Sequence, residues 1–94
     1  MAIGKLDAAE TEVNQALRLH PAYREAKLLL AELSVKRNRP EEAVSRLEVL
    51  IRDDSTYPEA FRMLAQIYQT FHLDSVKGRT YLEQYDRLRN VANP

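Results

Sequence analysis
Apolar residues recur along this chain at spacings of three and four, interrupted at short intervals by proline, glycine and polar residues. That is the periodicity of amphipathic helices. The first such stretch, Lys5 to Leu19, carries Leu6, Ala9, Val13, Ala16 and Leu17 on one side. Asp7 and Glu10 in its opening turns and Arg18 near its end suit the helix dipole. Pro21 lacks an amide proton and disfavours helix at His20, so a stop is predicted there. A second helix is predicted from about Ala22 to Arg37, with Ala26, Leu30 and Leu33 on one side and a turn at Asn38-Arg39. Pro40 suits a first helical position, and the helix it opens turns Ala43, Leu47, Leu50 and Ile51 inward before ending near Asp53. After the polar connection Asp54-Ser55-Thr56, Pro58 opens a fourth helix bearing Phe61, Leu64, Ala65 and Tyr68. His72-Leu73-Asp74 turns the chain again, and Ser75 is expected to cap a last helix containing Val76, Leu82, Tyr85 and Leu88. The tail, residues 91–94, is expected to fray. Five helices joined by turns of a few residues predict a run of antiparallel hairpins.

The helices repeat. The stretch from Tyr57 to Tyr68, YPEAFRMLAQIY, can be laid over one that starts 34 residues earlier at Tyr23. Tyr23 and Tyr57, Glu25 and Glu59, Ala26 and Ala60, Leu30 and Leu64, and Ala31 and Ala65 are then identical pairs. Fixed-period self-similarity of this kind marks an array of helical hairpins. Phe61, Leu64, Ala65 and Tyr68 have the first-helix spacing of the tetratricopeptide signature, and Ala43 with Leu47, like Ala9 with Val13, fits its second-helix pair. Gly4 matches the glycine of the hairpin turn, and Ala16, Leu17 and Pro21 match the end of a repeat. Over nearly its whole length the chain resembles the tetratricopeptide repeat family. The resemblance implies an all-α fold, a right-handed α-solenoid of antiparallel helix hairpins, with about two and a half repeats in five helices. It implies one domain over residues 1–94: the second helix of an incomplete repeat (1–21), full repeats at 22–55 and 56–90, and a tail at 91–94. Small residues let paired helices cross closely while large ones fill the space beside the crossing.

The departures carry information. Lys27 replaces the large aromatic of the pattern, with its stem expected over apolar surface, and Ser34 replaces the tyrosine. In the last repeat an offset of 34 would place Lys77 where a small residue belongs, whereas an offset of 35 brings Gly78 onto Ala43, Leu82 onto Leu47 and Glu83 onto Glu48. One extra residue in the turn between His72 and Ser75 is therefore expected, and close packing is the expected reason for Gly78. Because the chain begins on a second helix, the partner of Lys5 to Leu19 is missing, which leaves two expectations: excision from a longer protein, or self-association over the open face.

Composition narrows the chemistry. The 94 residues include 14 basic and 14 acidic side chains, so no net field draws the chain to nucleic acid or an anionic membrane. The absence of cysteine removes disulfides and thiolate metal sites. No apolar run reaches the roughly 20 residues of a membrane span, and no compartment is indicated. His20 adjoins a helix-ending proline and His72 lies in a turn, and neither has a metal-binding spacing. No serine or threonine has a histidine partner in sequence context, no glycine-rich phosphate loop is present, and Glu41-Glu42 and Asp53-Asp54 sit at helix ends. No catalytic residue, cofactor or metal is expected, and the protein is not expected to be an enzyme. The basic run Lys36-Arg37-Asn38-Arg39 has no interleaved aromatic, and a solvated turn is favoured over RNA contact.

In the tetratricopeptide family the first helices line a concave surface, and the resemblance carries that role to two stripes here. By helical phase one is Glu25, Leu28, Glu32 and Val35, the other Glu59, Arg62, Gln66 and Gln69, with Leu29 and Met63 beside them; the expected partner-binding residues are Leu28, Leu29, Glu32, Val35, Arg62, Met63, Gln66 and Gln69. Leu28 and Val35 are not needed for the hairpin core, and methionine adapts to varied partners. One branch of the family grips acidic chaperone tails with a lysine, asparagine and arginine clamp, but the asparagines and first lysine are absent here. The expected partner is a protein or peptide ligand, a partly apolar peptide or helix held in the groove. The rival expectation is a structural element that stacks or self-associates through its terminal helices.

Overall fold
A computed structural model describes residues 3–92 of the chain. Five helices account for most of these residues: α1 (Ile3–Leu19), α2 (Arg24–Lys36), α3 (Pro40–Asp53), α4 (Pro58–Thr70) and α5 (Ser75–Ala92). No strand occurs among the described residues. Gly4, expected in a hairpin turn, lies within α1, because the apolar period of that helix extends back to its first turn. α2 starts later than expected, since Tyr23 takes extended backbone angles at the cap position (φ −71°, ψ 94°). α5 runs through Ala92, past the expected fraying point, while Asn93 and Pro94 lie outside the described residues.

The chain divides into two compact units, residues 1–46 and 47–94, with the division inside α3. In the first unit Leu6 and Val13 of α1 and Ala26, Leu30 and Leu33 of α2 form one buried cluster, with Ala9 and Leu17 packed against it. The helical spacing that put these residues on facing stripes thus decides what they bury. In the second unit Leu47, Leu50, Ala60, Phe61, Leu64, Ile67 and Tyr68 are buried, and Leu47 and Leu64 have no exposed surface at all. Truncating either leucine to alanine would cost about 2–5 kcal/mol, through lost transfer energy and the cavity left behind.

The turns after α2 and α4 share one geometry at the 34-residue offset. Asn38 and His72 adopt left-handed backbone angles, with φ of 60° and 55°. The amides of Arg39 and Leu73 donate back to the carbonyls of Ser34 (2.9 Å) and Tyr68 (2.8 Å). Those of Asn38 and His72 donate to Val35 (2.9 Å) and Gln69 (3.3 Å), completing a Schellman closure at each helix end. The offset then changes. Ala43 donates its amide to the carbonyl of Arg39 (3.1 Å), and Gly78 donates to that of Asp74 (3.0 Å), which is a spacing of 35. The extra residue expected from the sequence therefore lies between the closure of α4 and the start of α5.

Asp74, rather than Ser75, caps that start. Its Oδ1 accepts the amides of Val76 (2.9 Å) and Lys77 (3.3 Å), because Ser75 is already the first helical residue. At the other connection Asp54 Oδ1 accepts the amide (3.2 Å) and hydroxyl (2.8 Å) of Thr56, an Asx turn that leads into Tyr57 and Pro58.

Candidate functional site
The two candidate stripes fall in different units. On α2, Leu29 is 39% exposed, whereas Leu28, Glu32 and Val35 are half-buried. Leu28 and Val35 are thus partly covered rather than free of their surroundings. Lys36 Nζ lies 3.9 Å from Glu32, so this carboxylate already has a cation one helical turn away. Leu29 joins Val13, Ala16 and Tyr23 around a depression of about 250 Å³ between α1 and α2, edged by Glu12 and Glu25. Tyr23 is 45% exposed while Tyr57, its counterpart one period later, is 5% exposed. The same repeat position therefore serves as wall in one unit and as core in the other.

On α4, Arg62, Gln66 and Gln69 are exposed and Met63 is half-buried. Arg62, Gln66 and Gln69 line one side of an open groove of about 640 Å³, and Leu73, Leu82 and Tyr85 line the other. Met63 is not among its lining residues. The sequence placed Leu82 in register with the fully buried Leu47, yet Leu82 is 47% exposed, because no further described element covers that side of α5. Its contribution to a groove was legible only as a leucine at a core position of the last helix. Arg79, which also borders the groove, was missed altogether, since a single exposed arginine on a charged helix gives no pattern.

Two polar connections fix the first unit near the basic run. Arg37 Nη2 donates to Asp7 Oδ1 at 2.6 Å, joining the end of α2 to the second turn of α1. This hydrogen bond, with the Asp7, Glu10 and Glu42 charges, holds the Arg37 guanidinium above its ordinary pKa despite some desolvation. Ser34, only 2% exposed, donates its hydroxyl to Glu42 Oε2 at 2.7 Å. That bond, aided by the Arg46, Arg39 and Arg37 charges, lowers the Glu42 pKa below its ordinary 4.5 against the opposing effect of burial. The positive charge of the run is thus spread over Asp7, Glu32 and Glu42.

In the second unit Tyr81 stands where the sequence pattern singled out nothing. Its ring lies 5.5 Å from that of Tyr68 and 6.3 Å from that of Phe61, and its hydroxyl meets Glu48 Oε2 at 3.4 Å. Burial, then the Glu48 charge, push its pKa up to about 12, so the phenol stays neutral and donates. Among the described residues no cluster of three or more His, Asp or Glu side chains could hold a metal ion. No helix among them is long and apolar enough to cross a membrane.

A family model described as tetratricopeptide repeat matches residues 1–67. The chain belongs to the tetratricopeptide repeat family. No individual curated protein matches it. The match ends within α4, so the assignment of α5 to the tetratricopeptide pattern rests on the internal offset and on the paired turn geometry. Set in that pattern, the tyrosine position of the signature is filled differently in α2 and α4. The first-helix tyrosine is replaced by Ser34 in the earlier hairpin, where its hydroxyl is used to bind Glu42 on the next helix. The later hairpin keeps Tyr68 and yields space through Gly78. Lys27, at the aromatic position of the earlier repeat, is half-buried. Tetratricopeptide repeats are generally protein-interaction modules and typically non-catalytic scaffolds.

Proposed function
We propose that this chain is a non-catalytic interaction module that binds a peptide or helix of a partner protein through the outward stripes of α2 and α4. The observation that carries the reading is the α4 stripe. Arg62, Gln66 and Gln69 present charge and amides to solvent beside an apolar wall of Leu73, Leu82 and Tyr85. A recess with apolar walls and a few convergent polar groups is what peptide recognition uses, the walls for affinity and the polar groups for register. On α2 the exposed Leu29 supplies an apolar contact, and Leu28, Glu32 and Val35 its flanks.

The test is selection of peptides from a random library on the immobilised chain, followed by affinity measurements with Leu29→Glu and Arg62→Glu. Both positions are exposed, so folding should survive both changes. The reading expects a loss of roughly tenfold or more in affinity, about 1.4 kcal/mol, from at least one of them. Unchanged affinity in both variants overturns it.

A second reading, assembly through the terminal helices, is favoured by Val76 at 68% exposure on α5 and by the Leu29 depression against α1. Light scattering over a wide range of protein concentration separates the two. A dimer that dissociates on dilution and is disrupted by Val76→Glu favours assembly, and a monomer throughout removes it.

A further inference from the structure
We propose that the α4–α5 groove receives an acidic amphipathic helix from a partner protein. This rests on the interaction-module reading and names the chemistry of the partner. The groove is unusual in its charge. Arg62 and Arg79 are exposed at its border, and neither has an ion-pair partner among the described residues. Among the described residues no carboxylate lines the groove, although the chain as a whole carries as many acidic as basic residues. A local excess of positive charge beside apolar surface recruits carboxylates and repels amines, which sets both the encounter rate and the choice of partner.

The apolar part fixes the shape of the occupant. Leu82 occupies the register position of the fully buried Leu47 but is 47% exposed, so this side of α5 is built like a buried surface that no described residue covers. Leu73 and Tyr85 flank it, and Gln66 and Gln69 face it across the groove. A trough between two packed helices accepts the side-chain ridge of a third, whose apolar residues recur at three- and four-residue spacing. Carboxylates flanking that ridge would meet Arg62 on one side and Arg79 on the other.

A library of helix-forming peptides of about four turns, randomised throughout, is selected on the immobilised full chain. The recovered peptides should carry net negative charge and apolar residues at helical spacing. Their affinity should fall roughly tenfold or more with Leu82→Glu, and Arg79→Glu should abolish their preference over versions with lysine in place of glutamate. Raised ionic strength should weaken them. Recovery of neutral or basic peptides, or acidic peptides indifferent to both variants, overturns the proposal. Peptides that lose affinity with Leu29→Glu but not with Leu82→Glu would leave the interaction-module reading standing and remove this groove from it. A library that yields no binder overturns both. Conversion of a dimer to a monomer by Leu82→Glu in light scattering would assign the groove to a second copy and overturn the acidic partner.

Discussion

Gly78 on α5 lies so close to Tyr68 on α4 that a Cβ at position 78 would stand 3.0 Å from the Cβ of Tyr68. The tyrosine is 7% exposed and its ring is held against Tyr81, so its Cβ has little room to retreat. Gly78→Ala therefore sets a helix-propensity gain of about 1 kcal/mol against an overpacking cost of about 1–3 kcal/mol. The expected outcome is net destabilisation and a lower Tm. Gly4→Ala is the control, since nothing lies within 4 Å of a Cβ there and a propensity gain, smaller because Gly4 lies in the first turn of α1, is unopposed. Thermal unfolding of both variants should give shifts of opposite sign. A higher Tm for Gly78→Ala would mean that α4 and α5 can separate without loss.

The left-handed turn residues offer a second test. His72 has φ of 55° with a Cβ, and glycine reaches that region without steric cost. His72→Gly should raise stability by about 1 kcal/mol. Asn38→Gly should gain less, because the asparagine side chain tolerates left-handed angles better. Chemical denaturation measures both, and equal gains would show that residue type at this position does not matter.

Much of the helical frame could be read from the chain, and particular residues show why. Pro21, Pro40 and Pro58 punctuate the helices because their missing amide is harmless only at a helix start or outside one. The shift of Gly78 onto Ala43 revealed an inserted residue because a period tolerates no slip. What escaped were features that depend on a partner from another helix. Tyr81 reads as one more aromatic in a charged helix until Phe61 and Tyr68 are seen beside it. Asp74 and Ser75 are both capping residues, and only backbone geometry decides between them. The stripe Arg62, Gln66 and Gln69 follows from helical phase, whereas the wall facing it depends on what leaves Leu82 uncovered.

Asp74 and Ser75 make a matched pair for measurement. Asp74 accepts two backbone amides at the start of α5, and its truncation leaves both without that acceptor. Asp74→Ala should cost about 1 kcal/mol, in the usual range for loss of an N-cap. Ser75→Ala should be close to neutral, as an exposed residue already inside the helix. Reversed effects would return the cap to Ser75.

Tyr81 predicts an alkaline limit. Its pKa is raised to about 12 from an ordinary 10, so the neutral phenol is favoured by the folded state. The associated stability is fully present below pH 10 and is lost as pH rises toward 12. Ultraviolet absorbance should show one tyrosine ionising later than the exposed ones. Tyr81→Phe should remove that late step at a cost below about 1 kcal/mol, because the ring contacts remain and the bond to Glu48 is long. Tyr81→Ala should cost considerably more, through loss of the contacts with Phe61 and Tyr68.

Glu42 predicts an acid limit with the opposite sign. Its pKa is lowered from 4.5, first by the Ser34 hydroxyl and then by the Arg46, Arg39 and Arg37 charges. A carboxyl with a lowered folded-state pKa contributes stability above its unfolded value and loses it as pH falls through the folded one. Ser34→Ala removes the leading cause, and Glu42 in that variant should protonate closer to 4.5. Near neutral pH the variant should be less stable by about 0.5–1 kcal/mol, a charged hydrogen bond discounted for partial solvent exposure and for the better helix propensity of alanine. Below the carboxylate range the two proteins should converge, since protonated Glu42 no longer distinguishes them. Denaturation at neutral and acidic pH measures the difference directly. A gap that stays constant with pH would mean that Ser34 acts through its size and its bond to the Leu30 carbonyl at 3.3 Å, and not through Glu42.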